Sequence, residues 1–149
     1  MAAGIIRRTH LPMKFFQLKF IPQSTDFGLL FLRLVAGLTM LLNHGLIKVM
    51  SFSDMTEKFP DIIGIGRVPG LILIIFAEFV CAGLIALGWF TRFAALVLAI
   101  GMGVAFFMAH GMKLANPGSG ELAMIYLAIS LTLLFTGAGR FSIDGKKGA

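Results

Sequence analysis

The stretch VPGLILIIFAEFVCAGLIALGWF, residues 68–90, holds a single charged side chain, Glu78, near the middle of an otherwise apolar run. Its length is close to the roughly 20 residues that carry an α-helix across bilayer hydrocarbon. Pro69 stands in the first turn, where a proline is tolerated. The rest of the chain agrees: of 149 residues, 58% are hydrophobic and 13% charged, and a soluble core of this size cannot hide that much apolar surface. The class is an integral membrane protein, one domain by length.

Three more apolar segments obey the same rule, at about 27–49, 91–110 and 121–137. The expected fold is all-α: a four-helix transmembrane bundle of up-down topology whose sequential neighbours pack together. The link around GWFTR is short enough to force an antiparallel pair. Small residues, among them Gly37, Ala82, Ala86, Gly101, Gly103 and Ala128, permit close helix approach. The helical domain spans 27–144, preceded by a basic amphipathic segment, 1–26, and followed by a basic tail, 145–149. The opening RRTHLPMKFFQLKF mixes bases with aromatic and aliphatic residues as an interfacial helix does; Pro12 and two lysines make it a poor signal peptide.

An even number of crossings puts both termini on one side. That side carries Arg7, Arg8, Lys14, Lys19, Arg92, Arg140, Lys146 and Lys147, against Lys48, Lys58, Arg67 and Lys113 opposite. The positive-inside rule therefore places the N and C termini of a multi-pass protein in the cytoplasm. The net charge of +6 reads as topology and lipid contact, not nucleic-acid binding. The two long connections fall on the other side. Residues 51–67 hold one short helix, between Ser53 and Lys58, capped by Ser51 or Ser53 and stopped before Pro60. Residues 111–120 are a loop by their Gly, Pro, Asn and Ser content.

Charged groups inside such a bundle are the candidate site. Arg33 and His44 are eleven residues apart, almost three turns, so their headings differ by only about 20°. They share a stripe with Gly37, Met40 and Lys48. Glu78 needs a proton or a cation, and Arg33 or His44 is its expected partner. His110 ends the third span and Glu121 opens the fourth, both toward the end where His44 and Lys48 lie. The expectation is one internal polar pocket, open outward, walled by Arg33, His44, Glu78, His110 and Glu121. Plainer readings stand beside it. An Arg33–Glu78 pair would fix helix register, His44 would bond a carbonyl, and Lys48 would snorkel to the interface. His110 and Glu121 would be a helix-end polar pair, Cys81 a packing group, and Trp89 and Phe90 interfacial anchors.

The segments LRLVAGLTMLLNHGLIKV and AEFVCAGLIALGWFTRFAALVLA, then AHG, Glu121 and the closing GAGRFSIDG, together resemble the DoxX family of small four-helix membrane proteins. The resemblance covers about 27–144. It implies a subunit of a redox complex that interacts with quinone, since such proteins are linked to the membrane part of thiosulfate:quinone oxidoreductase and to quinol oxidase assemblies. It also carries Arg33, His44, Glu78, His110 and Glu121.

On that expectation His44 or His110 bonds a quinone carbonyl and Glu78 or Glu121 passes protons, as general acid and base. Arg33 and Lys48 bind substrate, and Lys48 with Lys113 attracts an anionic donor such as thiosulfate. Whether the chain catalyses alone stays open. A lone cysteine and the absence of C-x-x-C-H exclude a haem or iron–sulfur signature, so electrons come from a partner subunit or the substrate. Three other classes remain. A transporter would need a homo-oligomer to thicken so thin a scaffold. A metal set from His44, His110 and a carboxylate lacks any ligand pair at i, i+3 or i, i+4 spacing, so no metal is expected. A structural or assembly subunit would use the same charges to grip a neighbour.

Overall fold

Ser24 begins the first helix by accepting a 3.2 Å hydrogen bond from the Phe27 backbone N–H, with Asp26 in the first turn where its charge suits the helix N-terminus. The helix, α1, then runs Thr25–Met50. This is a computed structural model describing residues 16, 18, 20–115 and 117–146. The predicted interfacial helix in 1–26 falls largely outside the described residues, as does the end of the tail.

After α1 come a short helix α2, Phe52–Lys58, then α3, Arg67–Leu87, α4, Thr91–Ala109, α5, Glu121–Thr136, and a last turn α6, Ile143–Lys146. The described residues are all-helical, with no strand. Ser51 stands at the N-terminus of α2 as expected, though its hydroxyl makes no capping bond.

Among the described residues three helices, α1, α3 and α4, are long and apolar enough to cross a membrane. α5 is equally apolar but has 16 residues, a rise of about 24 Å against roughly 30 Å of hydrocarbon. The outer surface is studded with apolar side chains such as Phe31, Ile100 and Phe135, the reverse of a soluble protein's and suited to acyl chains.

Neighbouring helices run antiparallel. Arg33, early in α1, lies against Ala86, late in α3, while Lys48 near the end of α1 meets Glu78 in mid-α3. In the same way the Arg92 Nε–H donates to the Leu134 carbonyl, pairing the start of α4 with the end of α5. α3 closes on Gly88, whose φ of +68° only glycine adopts without strain; the Trp89 N–H reaches back to the Leu84 carbonyl at 3.0 Å.

The closing GAGRFSIDG segment seals this end. Asp144 accepts from the backbone N–H groups of Phe90 and Thr91, one per carboxylate oxygen, both at 2.9 Å. It thereby caps α4 from another part of the chain and holds Phe90 at its positive φ. Asp26 accepts from the Arg140 N–H. Arg33, 2% exposed, donates to the carbonyls of Ala86 and Phe141.

Two glycines set the distance between α1 and α3. A Cβ on Gly37 would lie 2.8 Å from the Ala82 carbonyl oxygen, and one on Gly45 would lie 2.5 Å from that of Glu78. Gly101 is packed against α3 as well, whereas Gly103 faces open space and Ala128 is exposed.

Gly45→Ala is expected to destabilise the bundle by about 1–3 kcal/mol through overpacking. A lowered thermal unfolding midpoint in detergent, compared with Gly103→Ala at the wild-type value, checks this.

Candidate functional site

Each long helix changes its winding once. α1 is a π-helix over Leu41–Gly45, α3 over Phe76–Cys81 and α4 over Val104–Ala109. Such turns are rare and often mark functional positions. His44 and Glu78 lie within two of them and His110 directly follows the third.

These three helices and the start of α5 line a half-open cavity of about 580 Å³, with residues 59–63 forming part of its wall on the loop side. That is within the roughly 300–1,000 Å³ of small-molecule sites. Met40, Leu73, Ile74, Ala77, Met102 and Ala123 supply apolar wall; His44, Lys48, Glu78, His110 and Tyr126 supply most of the polar groups.

The dominant contact is the ion pair between Lys48 Nζ and Glu78 Oε2, at 2.5 Å, with the two side chains 18% and 7% exposed. Its partners differ from those expected. Glu78 pairs neither with Arg33 nor with His44, and Lys48 does not snorkel to the interface. The reason is depth. Eleven residues are also about 16 Å of rise, so Arg33 shares a heading with His44 but sits near the opposite end of the bundle. There it serves the seal at the terminal end, away from the cavity. A π turn also takes about one extra residue, which rotates the remainder of the helix back by about 100°, and Lys48 lies beyond the one in α1.

The structure thus brings His44, Lys48, Glu78 and His110 to one cavity and leaves out Arg33 and Glu121. Glu121 is exposed in the first turn of α5, while its neighbours Ser119, Leu122 and Ala123 reach the cavity wall. His110 is fixed by its Nδ1, 2.9 Å from the Gly118 carbonyl. Gly120 leaves room for it, since a Cβ there would lie 2.8 Å from that of His110. Among the described residues no group of three His, Cys, Asp or Glu side chains is arranged to hold a metal ion.

Tyr126 escaped the sequence reading. It is 6% exposed, hydrogen bonds Thr39 at 2.7 Å, and presents its ring edge-on to His44 with centroids 6.2 Å apart. A lone tyrosine in an apolar helix is the signal that points to it, because a buried phenol needs a partner.

Chemically, the cavity offers an ammonium, a carboxylate and two imidazoles in apolar surroundings. Only Oε2 of Glu78 is engaged by Lys48; Oε1 takes no hydrogen bond from the described residues, so it can meet a donor or a proton.

The family model described as DoxX matches residues 28–111, more than half of the chain and all four of His44, Lys48, Glu78 and His110. Among curated proteins, an uncharacterized protein of Haemophilus influenzae is 36% identical over 126 residues, which cover 79% of this chain and 89% of the relative. No solved structure matches the chain.

Removing either member of the ion pair leaves a charge in a poorly solvated site. Lys48→Met is expected to destabilise the protein by about 3–5 kcal/mol, an orphaned carboxylate being costly, while Lys48→Met/Glu78→Gln recovers most of the loss. Unfolding midpoints of the wild type, both single variants and the double variant measure this coupling.

Proposed function

The chain belongs to the DoxX family, and from that premise we propose that its cavity binds the headgroup of a quinone, within a subunit of a membrane redox complex. The observation that carries the reading is the Lys48–Glu78 pair sunk in an apolar cavity of about 580 Å³. A quinone ring is flat, uncharged and apolar on both faces, with hydrogen-bond acceptors only at its two carbonyls. The Lys48 ammonium or the His44 imidazole donates to one carbonyl, and His110, whose Nδ1–H is given to the Gly118 carbonyl, donates to the other from Nε2 as the imidazolium. Reduction of the ring draws protons, and Glu78, hydrogen-bonded to Lys48, is the group that holds and passes them. Electrons are supplied by a partner subunit or by the donor substrate.

α5 completes a fourth crossing in this reading, both termini lie in the cytoplasm of a bacterial inner membrane, and the cavity opens to the other side. The apolar outer surface meets lipid.

Binding of a short-chain quinone to the purified protein in nanodiscs, followed by calorimetry, tests the proposal. The double variant Lys48→Met/Glu78→Gln is the decisive comparison, because it removes both charges and the ammonium donor without orphaning a charge. Its affinity is expected to fall at least about tenfold, or about 1.4 kcal/mol, while Gly103→Ala binds as the wild type does. No heat of binding to the wild type, or full affinity in a folded double variant, overturns it and favours a structural or assembly role for the ion pair.

A further inference from the structure

Tyr126 and Leu122 do not line the cavity alone. The same two residues also line a second, shallower depression of about 180 Å³ on the outer surface between α1 and α5. Its walls include Phe31, Val35, Leu122 and Ile125, all apolar and all exposed on the face that the acyl layer covers. Its polar groups are the Thr39 and Tyr126 hydroxyls, and those are bonded to each other. Thr39 spends its own hydrogen on the Val35 carbonyl, 2.6 Å away, so in the Thr39–Tyr126 bond the phenol donates. Tyr126 can therefore turn away and leave Thr39 with its backbone partner.

We propose that this groove holds the apolar tail of the cavity's ligand, with Tyr126 as the wall between tail and headgroup. The inference rests on the quinone reading and adds to it the ligand class: a quinone carrying an isoprenoid or alkyl chain, admitted sideways from the membrane between α1 and α5. Two observations support this route. The groove and the cavity share Tyr126 and Leu122 in their walls. The α1–α5 seam is lightly packed, whereas α1 is pressed onto α3 and α5 onto α4. At the loop face the way out of the cavity passes exposed Pro60, Asp61 and Lys113, where an apolar chain gains nothing, while between α3 and α4 its wall carries exposed Leu73, Phe76 and Ile100, so crosslinking to those two helices is the competing outcome.

The test compares two ligands on the protein in nanodiscs: a dimethoxy-methyl benzoquinone without a chain, and the same ring bearing a decyl chain with a diazirine at its end. The chain-bearing ligand is expected to crosslink within residues 31–39 and 122–129. Val35→Trp, which fills the groove from its exposed side, is expected to weaken that ligand about tenfold and leave the chainless ring unchanged. Tyr126→Phe, which breaks the Thr39 bond, is expected to speed exchange of the chain-bearing ligand. Binding of both ligands with crosslinks elsewhere, or with no discrimination by Val35→Trp, overturns the tail groove and leaves the headgroup site standing. Labelling of the groove by a diazirine phosphatidylcholine that the chain-bearing quinone does not displace makes it a lipid site and also overturns the proposal. Failure of both ligands to bind the wild type removes the headgroup reading, and the tail groove with it.

Discussion

A carboxylate in the middle of an apolar helix is the constraint around which this molecule is arranged. On insertion scales an aspartate, arginine or lysine at mid-membrane costs roughly 2.5–3.5 kcal/mol, and Glu78 avoids a comparable penalty by pairing with Lys48. A lysine carried on α1 satisfies a glutamate on α3 only if the two backbones are close. Gly45 provides that approach, since its missing side chain is replaced by the Glu78 carbonyl itself. Gly37 keeps the helices together two turns away, against Ala82 and Ala86. The helix pair and the ion pair are one design: separating the backbones would strip Glu78 of its cation.

The same constraint gives the three π turns a common setting. They occur in α1 and α4 toward the loop end and in α3 at mid-helix, and all three contribute to the cavity wall. A π turn has poorer hydrogen-bond geometry than the α-helix around it and persists where packing supports it. Those of α1 and α3 lie against each other, with Gly45 of one on Glu78 of the other. The helix pair therefore bulges where the ion pair forms.

Much of this was legible in the chain, and the limits of legibility are physical. The helices could be placed to within a few residues because each is an apolar run ended by Gly, Pro or charge, and the antiparallel α3–α4 pair came from the short GWFTR link. His44, Glu78 and His110 stood out as polar groups in apolar spans. Depth and phase could not be read. A 3.6-residue repeat assigned Arg33 and His44 to one face and passed over the axial distance between them, and it cannot register a π turn. The partners of Arg33 are backbone carbonyls, which every position offers, so no pattern announces them. Tyr126 was passed over because its one hydroxyl carries no charge, and Glu121 was misplaced because an adjacent position, not its own, faces the cavity.

The two ends of the molecule are held by different kinds of bond. At the terminal end, Arg33, Asp26 and Asp144 each reach from one element to the backbone of another, tying α1, α3, α4 and the closing segment together. At the loop end the bonds of the connections are local: Arg67 to the Glu57 carbonyl, the Gly66 N–H to Asp61, and His110 to Gly118. The link between helices there is the Lys48–Glu78 pair, which is itself part of the cavity. Rearranging residues 59–63 therefore breaks few contacts between helices. A ligand that competes for Lys48 or Glu78 acts directly on the bond that holds α1 to α3 at that end. The ion pair thus belongs at once to the cavity wall and to the contact between α1 and α3, beside the packing of Gly45 on the Glu78 backbone.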